Sequence, residues 1–345
     1  MVNQADEWYS SNRPVYEAFS KKIEDLLRDI LTSKDIPSHA IEARAKKIDS
    51  FKKKAEKGIN YDYKEMQDLA GIRIIGLVST EVEKITEEVR KLFIIDEKLS
   101  TDKAKALKNN EVGYHSVHLV GRLTKEREEL PEWKPYKGLC FEIQIRTILQ
   151  HSWAEIEHDR GYKFSGNLPD PIIRKFALIA GLLEIADNEF VSVTQLVEEY
   201  SKEVSVETKS GNLKIQLNST SLEQYLLEKY KAMPGMEAYL KENKASLAVL
   251  SKALSEINIL RLDQLDKIIP KNFGEVFLNH YKDVKDYGFL SKLIVILYPD
   301  LIFKGTNSDE PINITDNAIK FYKNFNINIV DLCKKYKIKV ILVDE

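Results

Sequence analysis

LCFEIQIRTILQHSWAEIEHDRGYK, residues 139–163, is the stretch on which the reading of this chain turns. It opens as a strand. Phe141, Ile143 and Ile145 alternate with Glu142, Gln144 and Arg146, and strand side chains point to opposite faces every second residue. One face is apolar and belongs in a core. The other carries a carboxylate, an amide and a guanidinium in a row, which is costly to bury unless it faces a ligand, a metal or water. The strand runs directly into a helix, with Thr147 as the N-cap. His151, Glu155 and His158 follow at i, i+4 and i+7 and so share one helix face.

Working outward, Leu69–Val78 (LAGIRIIGLV) reads as a buried strand with Arg73 embedded in it. A lone arginine there needs a partner, in a structural salt bridge or a ligand. Gly113–Leu123 is another strand, with Ser116, His118 and Val120 on one side. The charged segment 124–138 joins it to the opening strand as a hairpin. Helices are predicted over Trp8–Leu31, regular from about Pro14, over Glu81–Phe93, and from Pro171 to about Glu203. The stretch 38–58 is basic and reads as a helix. Arg44, Lys47 and Phe51 fall near one of its faces, and Lys46, Ser50 and Lys54 on a neighbouring one. It is either a solvated face or a phosphate clamp. Residues 100–111 are polar, lysine-rich and expected to be mobile.

These elements make a first domain over residues 1–205, an α/β (α+β) unit with a mixed sheet of about four or five strands flanked by helices. Residues 206–345 read as a mainly helical accessory or regulatory domain. Leu213, Ile215 and Leu217 alternate as a short strand. Asn218 starts a helix, residues 221–298 are mostly helical, Phe321–Lys335 is one helix and Ile338–Val343 a final strand. No cluster of chemistry-bearing residues stands out in this half.

Composition narrows the class. The chain has 345 residues, a formal net charge of −2, 43% hydrophobic and 31% charged residues, which describes a soluble globular protein of two ordinary domains. Its longest apolar runs are too short to cross a bilayer, and its first residues do not form a signal peptide. Cys140 and Cys333 are far apart in sequence and read as reduced thiols of a cytoplasmic protein. The near-neutral balance argues against a generic nucleic-acid binder.

Two carboxylates carry the chemistry: Asp68 at the mouth of one strand and Glu142 on the polar face of another. Acidic residues on neighbouring strands can hold a hard cation such as Mg²⁺ through oxygen ligands, and nearby basic residues can neutralise phosphate. Asp68 has the parity of Ala70 and Ile72, and Arg73 the opposite parity. Both reach one site only if the strand begins after Asp68 or twists there.

Asp68-Leu-Ala-Gly-Ile-Arg73, Gly113-Tyr-His-Ser-Val-His118, Glu142-Ile-Gln-Ile-Arg-Thr147 and His151-x-x-Ala-Glu-x-Glu-His158 with Tyr162-Lys163 resemble, in order and spacing, the successive motifs of the RelA/SpoT family. Arg44-x-Lys46-x-x-x-Ser50-x-x-x-Lys54 is similar to that family's nucleotide-clamping helix. The resemblance covers roughly residues 35–200, and its form is that of a small, single-domain-type alarmone synthetase with a C-terminal extension.

The resemblance implies a nucleotidyltransferase-like sheet that moves pyrophosphate from ATP to the 3′-hydroxyl of GDP or GTP, releasing AMP. It implies that Asp68 and Glu142 hold Mg²⁺, and that Glu142 acts as base. Arg44 and Arg73 would sandwich adenine, with Lys46 and Lys54 on the ATP phosphates. Tyr114 would stack on the acceptor base, and His118, Gln144 and Arg146 would surround the acceptor. His151, Glu155, His158 and Lys163 would form the supporting helix.

The family's guanosine alarmone makers carry a lysine and an asparagine where this chain has Asn110 and Val112. The 3′ end of tRNA therefore stands as an alternative acceptor, with the basic stretch as an RNA contact. Two further alternatives are a catalytically inactive nucleotide-sensing module and a zinc hydrolase built on His151, Glu155 and His158. The second domain is expected to bind a protein partner or regulator, and a homo-oligomer is a candidate assembly.

Overall fold

A computed structural model describes residues 2–57, 63–102, 116–162, 168–282, 284, 288–303 and 311–343. Tyr114 and Lys163, and with them Asn110 and Val112, lie outside the described residues. The chain divides into two compact units, Met1–Gln195 and Leu196–Glu345. The expected boundary at 205/206 falls ten residues or so further along, inside one long helix.

In the first unit, α1 (Val2–Ser33), β1 (Ala40–Ala45), α2 (Ile48–Lys57), β2 (Ala70–Gly76), α3 (Ser79–Leu92), β3 (Ile94–Ile95), β4 (Thr101–Asp102), β5 (Val117–Arg122), α4 (Lys125–Glu128), β6 (Cys140–Thr147) and α5 (Ile148–Tyr162) follow in order. The helix α6 (Asp170–Lys209) comes next. The sheet runs β1-β2-β6-β5-β3, with β4 paired to β5. β2 and β6 are parallel neighbours, and the other pairings are antiparallel. This is the mixed, helix-flanked sheet that the alternating strands imply, and β5–β6 is the expected hairpin.

Alternation sorts the two faces. Ile72, Ile74, Phe141, Ile143, Ile145 and Leu119 join Phe19, Ile23 and Leu27 of α1 and Val82, Ile85 and Val89 of α3 in one core. The opposite face carries the polar row and receives α5. Thr147 caps α5 as expected: its Oγ1 accepts from the Gln150 N–H at 3.1 Å, and its own N–H donates to Gln150 Oε1 at 2.9 Å.

Two expectations fail here for identifiable reasons. Pro14 lies inside α1 and does not begin it. The turns before it stay docked because Ala5 and Tyr9 are buried, with Tyr9 stacked on Phe51 at 4.3 Å between ring centroids. Burial of that ring outweighs the hydrogen bond proline cannot make. The basic stretch is also not one helix. Its first part is β1, on the edge of the sheet beside β2, and the helix starts only at Ile48. Ile41 and Ala45 of β1 are buried, so pairing and burial override the helical spacing of the lysines.

The second unit contains α7 (Ser219–Lys229), α8 (Met236–Glu242), α9 (Lys244–Glu256), α10 (Leu262–Ile268), α11 (Phe273–His280), α12 (Phe289–Leu297), α13 (Pro299–Phe303), β7 (Ile312–Thr315), α14 (Asp316–Lys323), α15 (Ile329–Lys335) and β8 (Val340–Val343). Phe273, Phe277, Phe289 and Phe321 are fully buried at its centre. Asn218 caps α7 in a reciprocal capping box with Ser221. The predicted strand at 213–217 forms only an isolated bridge from Gln216 to Arg261. The predicted helix 321–335 is two helices, because Asn326 takes the left-handed region (φ 58°) between them. The predicted last strand is present and pairs in parallel with β7.

Candidate active site

The polar sheet face is a grid fixed by strand register. Arg44, Gly71, Glu142 and Val120 are opposite one another on β1, β2, β6 and β5. The next row is Glu42, Arg73, Gln144 and His118. Arg146, opposite Ile75, stands one row further on. One side of one sheet therefore gathers Arg44, Arg73, His118, Glu142, Gln144 and Arg146. Gly71 was not singled out from the sequence, yet a Cβ there would meet Cγ and Nε of Arg44 at 3.3 Å. Its bare Cα lets the Arg44 side chain lie across β2.

β2 starts at Ala70, after Asp68, which resolves the parity conflict with Arg73. Asp68 is clasped by Lys46 and by Lys54, the latter at 3.0 Å. Lys46 lies in the β1–α2 connection, where Tyr9 Oη donates to its carbonyl at 2.6 Å and its N–H donates to the Leu69 carbonyl at 3.1 Å. Lys54 comes from α2. Burial pushes the Asp68 carboxyl up, but the hydrogen bonds and charges of the two ammonium groups outweigh it and hold the pKa below the usual value.

Glu142 is satisfied from both sides. Its Oε1 is 3.0 Å from His118 Nδ1, and its Oε2 accepts from Gln144 Nε2 at 3.0 Å. His118 Nε2 continues to Ser116 Oγ at 2.6 Å. Burial raises the Glu142 pKa, the His118 and Gln144 contacts lower it further than that, and the Asp68 charge opposes them. The net direction is down, so both carboxylates are ionised at neutral pH.

At the far end, α5 folds back over the face. Glu155 Oε1 is 3.1 Å from Arg73 Nη1, 3.5 Å from Arg146 Nη2 and 3.9 Å from His151 Nδ1. Glu42 Oε2 is 3.7 Å from Arg73. Burial, with the charges of Arg73 and Arg44, lowers the Arg146 pKa to about 10. Burial and the charges of Arg146 and Arg73 lower that of His151, which keeps the imidazole neutral at pH 7. His158 is exposed. Thr147 Oγ1 donates to Asp187 Oδ2 at 2.8 Å, tying the end of β6 to α6. Glu42 carries no signal of its own within the basic run 38–58. Its strand register with Arg73 was hidden because the run was taken for a helix.

The donor set fits a hard divalent cation of the Mg²⁺ type. Two ionised carboxylates are hard oxygen ligands, and two are what Mg²⁺ uses when substrate phosphates and water supply the rest. Among the described residues no group of three or more His, Cys, Asp or Glu could hold a metal, so His151, Glu155 and His158 form no such cluster. Among the described residues, no helix is long and apolar enough to cross a membrane.

Residues 43–167 match the family model described as the region found in RelA/SpoT proteins. That match spans 125 of the chain's 345 residues. The chain is 29% identical over 167 residues to the GTP pyrophosphokinase YjbM of Bacillus subtilis, covering 47% of this chain and 75% of that protein. It is 26% identical over 170 residues to the GTP pyrophosphokinase YwaC of the same species, covering 47% and 76%. The crystal structure of small alarmone synthetase 1 from Bacillus subtilis aligns with 56% of this chain and 99% of its own, at 28% identity and a TM-score of 0.48. Beyond the RelA/SpoT region the chain continues as a C-terminal extension.

Proposed function

We propose that the protein is an ATP-dependent pyrophosphokinase that transfers the β,γ-pyrophosphate of ATP to the 3′-hydroxyl of GDP or GTP and releases AMP. The observation that carries this reading is the pair of ionised carboxylates, Glu142 on the polar sheet face and Asp68 just before β2, whose charge acts on Glu142, with Lys46, Lys54 and three arginines around them. The two GTP pyrophosphokinases that share the RelA/SpoT segment support it.

Glu142 accepts the proton of the 3′-hydroxyl as its oxygen bonds to the β-phosphorus of ATP. The bond from that phosphorus to the α,β-bridging oxygen breaks, and AMP leaves with the electron pair. A depressed pKa makes Glu142 a modest base, and His118 holds its carboxylate in one orientation while linking it to Ser116. Lys46 and Lys54 turn from Asp68 to the polyphosphate. Arg44 and Arg73 take the adenine between their guanidinium faces. Gln144, Arg146 and His118, with Tyr114, border the acceptor. Asp68 and Glu142 would hold Mg²⁺, which when bound neutralises charge on the polyphosphate.

The GTP pyrophosphokinases to which the chain is similar favour the nucleotide over an RNA backbone as acceptor. The test offers ATP labelled on its terminal phosphates with GDP, GTP or deacylated tRNA in separate reactions, and Glu142→Ala as control. Label on GDP or GTP is expected. Label on tRNA alone overturns the nucleotide acceptor, and no transfer to any acceptor overturns the enzyme reading.

For the extension from residue 206 we propose a regulatory or partner-binding role. It buries its own aromatic core and shows no metal-binding cluster among the described residues. Equal activity and equal oligomeric state in the full chain and in a chain ending after Lys209 would contradict this.

A further inference from the structure

We infer that Glu155 selects the purine of the pyrophosphate donor: its carboxylate accepts from the 6-amino group of adenine and rejects a 6-oxo purine. This rests on the reading above, in which Arg44 and Arg73 hold the donor base.

The geometry separates the two oxygens of Glu155. Oε1 faces Arg73, Arg146 and His151, at 3.1, 3.5 and 3.9 Å. All three approaches are made through Oε1, and the side chain is 55% exposed. Oε1 thus anchors the carboxylate to the sheet face beside the Arg73 guanidinium, and Oε2 is the atom assigned to the ligand. Glu42 flanks the same guanidinium from β1, at 3.7 Å and equally exposed. The rim of the proposed base platform is therefore rich in acceptors. Arg73 Nε, Arg146 Nε and His151 Nδ1 are buried without a hydrogen-bond partner, so Glu155 does not satisfy every donor and acceptor around it.

The chemistry of the purine edge does the rest. An ionised carboxylate has lone pairs and no hydrogen to give. Adenine offers an amino donor at position 6. Guanine and hypoxanthine offer a carbonyl oxygen there, which would face the carboxylate lone pair to lone pair. Discrimination of this kind comes as much from the repulsive pairing as from the favourable one. It matters particularly where the acceptor is itself a guanosine nucleotide, because GTP in the donor site would block the reaction.

The test is calorimetric binding of ATP and of inosine triphosphate, which has an oxo group at position 6, to the full-length protein with Mg²⁺. Wild type, Glu155→Ala and Glu155→Gln are compared. A charged hydrogen bond of this type predicts that wild type prefers ATP by about 10- to 100-fold. The ratio should fall to within about threefold in Glu155→Ala, and level or reverse in Glu155→Gln, whose amide can donate to the 6-oxo group. Equal binding of both nucleotides to wild type overturns the inference. So does a loss of affinity in Glu155→Ala that is the same for both, since a residue that merely positions Arg73 would leave the ratio unchanged. If wild type binds neither nucleotide, the donor-site reading falls as well, and that outcome is distinct from the other two.

Discussion

On one face of the sheet Phe141, Ile143, Ile145, Ile72 and Ile74 are at most 2% exposed. On the other, the same two strands present Glu142, Gln144, Arg146 and Arg73. Both faces come from a single alternation, yet they are held together differently. The apolar face is cohesive through area alone, supplied by α1 and α3. The polar face is a set of charges that would repel or be stranded unless other elements answered them: Lys46 and Lys54 for Asp68, His118 and Gln144 for Glu142, Glu155 and Glu42 for the arginines. The same period-two pattern thus yields a face devoted to stability and a face of mutually paired charges, the proposed ligand site.

That division can be broken by substitution. The largest effect expected is on the polar face: Glu142→Ala or Asp68→Asn should lower pyrophosphate transfer per folded molecule by about 10³-fold, with a smaller loss of stability than a core truncation gives. Initial rates alongside thermal melts check this. Ile143→Ala on the apolar face should do the reverse. It should cost about 3 kcal/mol of folding stability, read by denaturant titration, while the folded fraction keeps its activity. Comparable losses of rate and stability in all three variants would erase the distinction between the faces.

Smaller effects sharpen it. Gly71→Ala places a methyl against Arg44 and should weaken ATP binding about fivefold without changing the affinity for the acceptor. Titrating both ligands separately checks this.

The pH dependence should be slight near neutrality. Asp68 and Glu142 have lowered pKa values. Their contribution to stability is fully present above the ordinary carboxylate range and is lost as pH falls through their lowered values. His151 is lowered as well. Its contribution is present above about pH 6.5 and declines as pH falls through its lowered pKa. These three groups should therefore add no slope to the melting temperature from about pH 7 to 8 and should lower it on acidification, whereas burial lowers the Lys292 pKa to about 8 and adds a loss as pH falls towards that value. Stability that rises on acidification would contradict these assignments.

The alternation in residues 139–147 made the central strand, its two faces and the cap at Thr147 legible in the sequence, because each depends on neighbouring residues. Asp68, Arg73, His118 and Glu142 were legible as candidates for the same reason. What escaped were relations set by tertiary pairing. Arg44 was placed on a helix, because strand β1 is defined by its pairing with β2 and a basic run carries no strand signal. Glu42 and Gly71 gain meaning only from being opposite Arg73 and Arg44. Pro14 looked like a helix start, since nothing local announces that Tyr9 will be stacked and buried. The break at Asn326 turned on a single residue entering the left-handed region, which asparagine tolerates without requiring.

The central claim is that the polar face moves an intact pyrophosphoryl group. Phosphorus NMR of a reaction containing protein, Mg²⁺, ATP and GDP tests it most directly. The account predicts AMP appearing in step with a new diphosphate on the acceptor. ADP as the adenine product, or ATP unchanged over many hours, would contradict it.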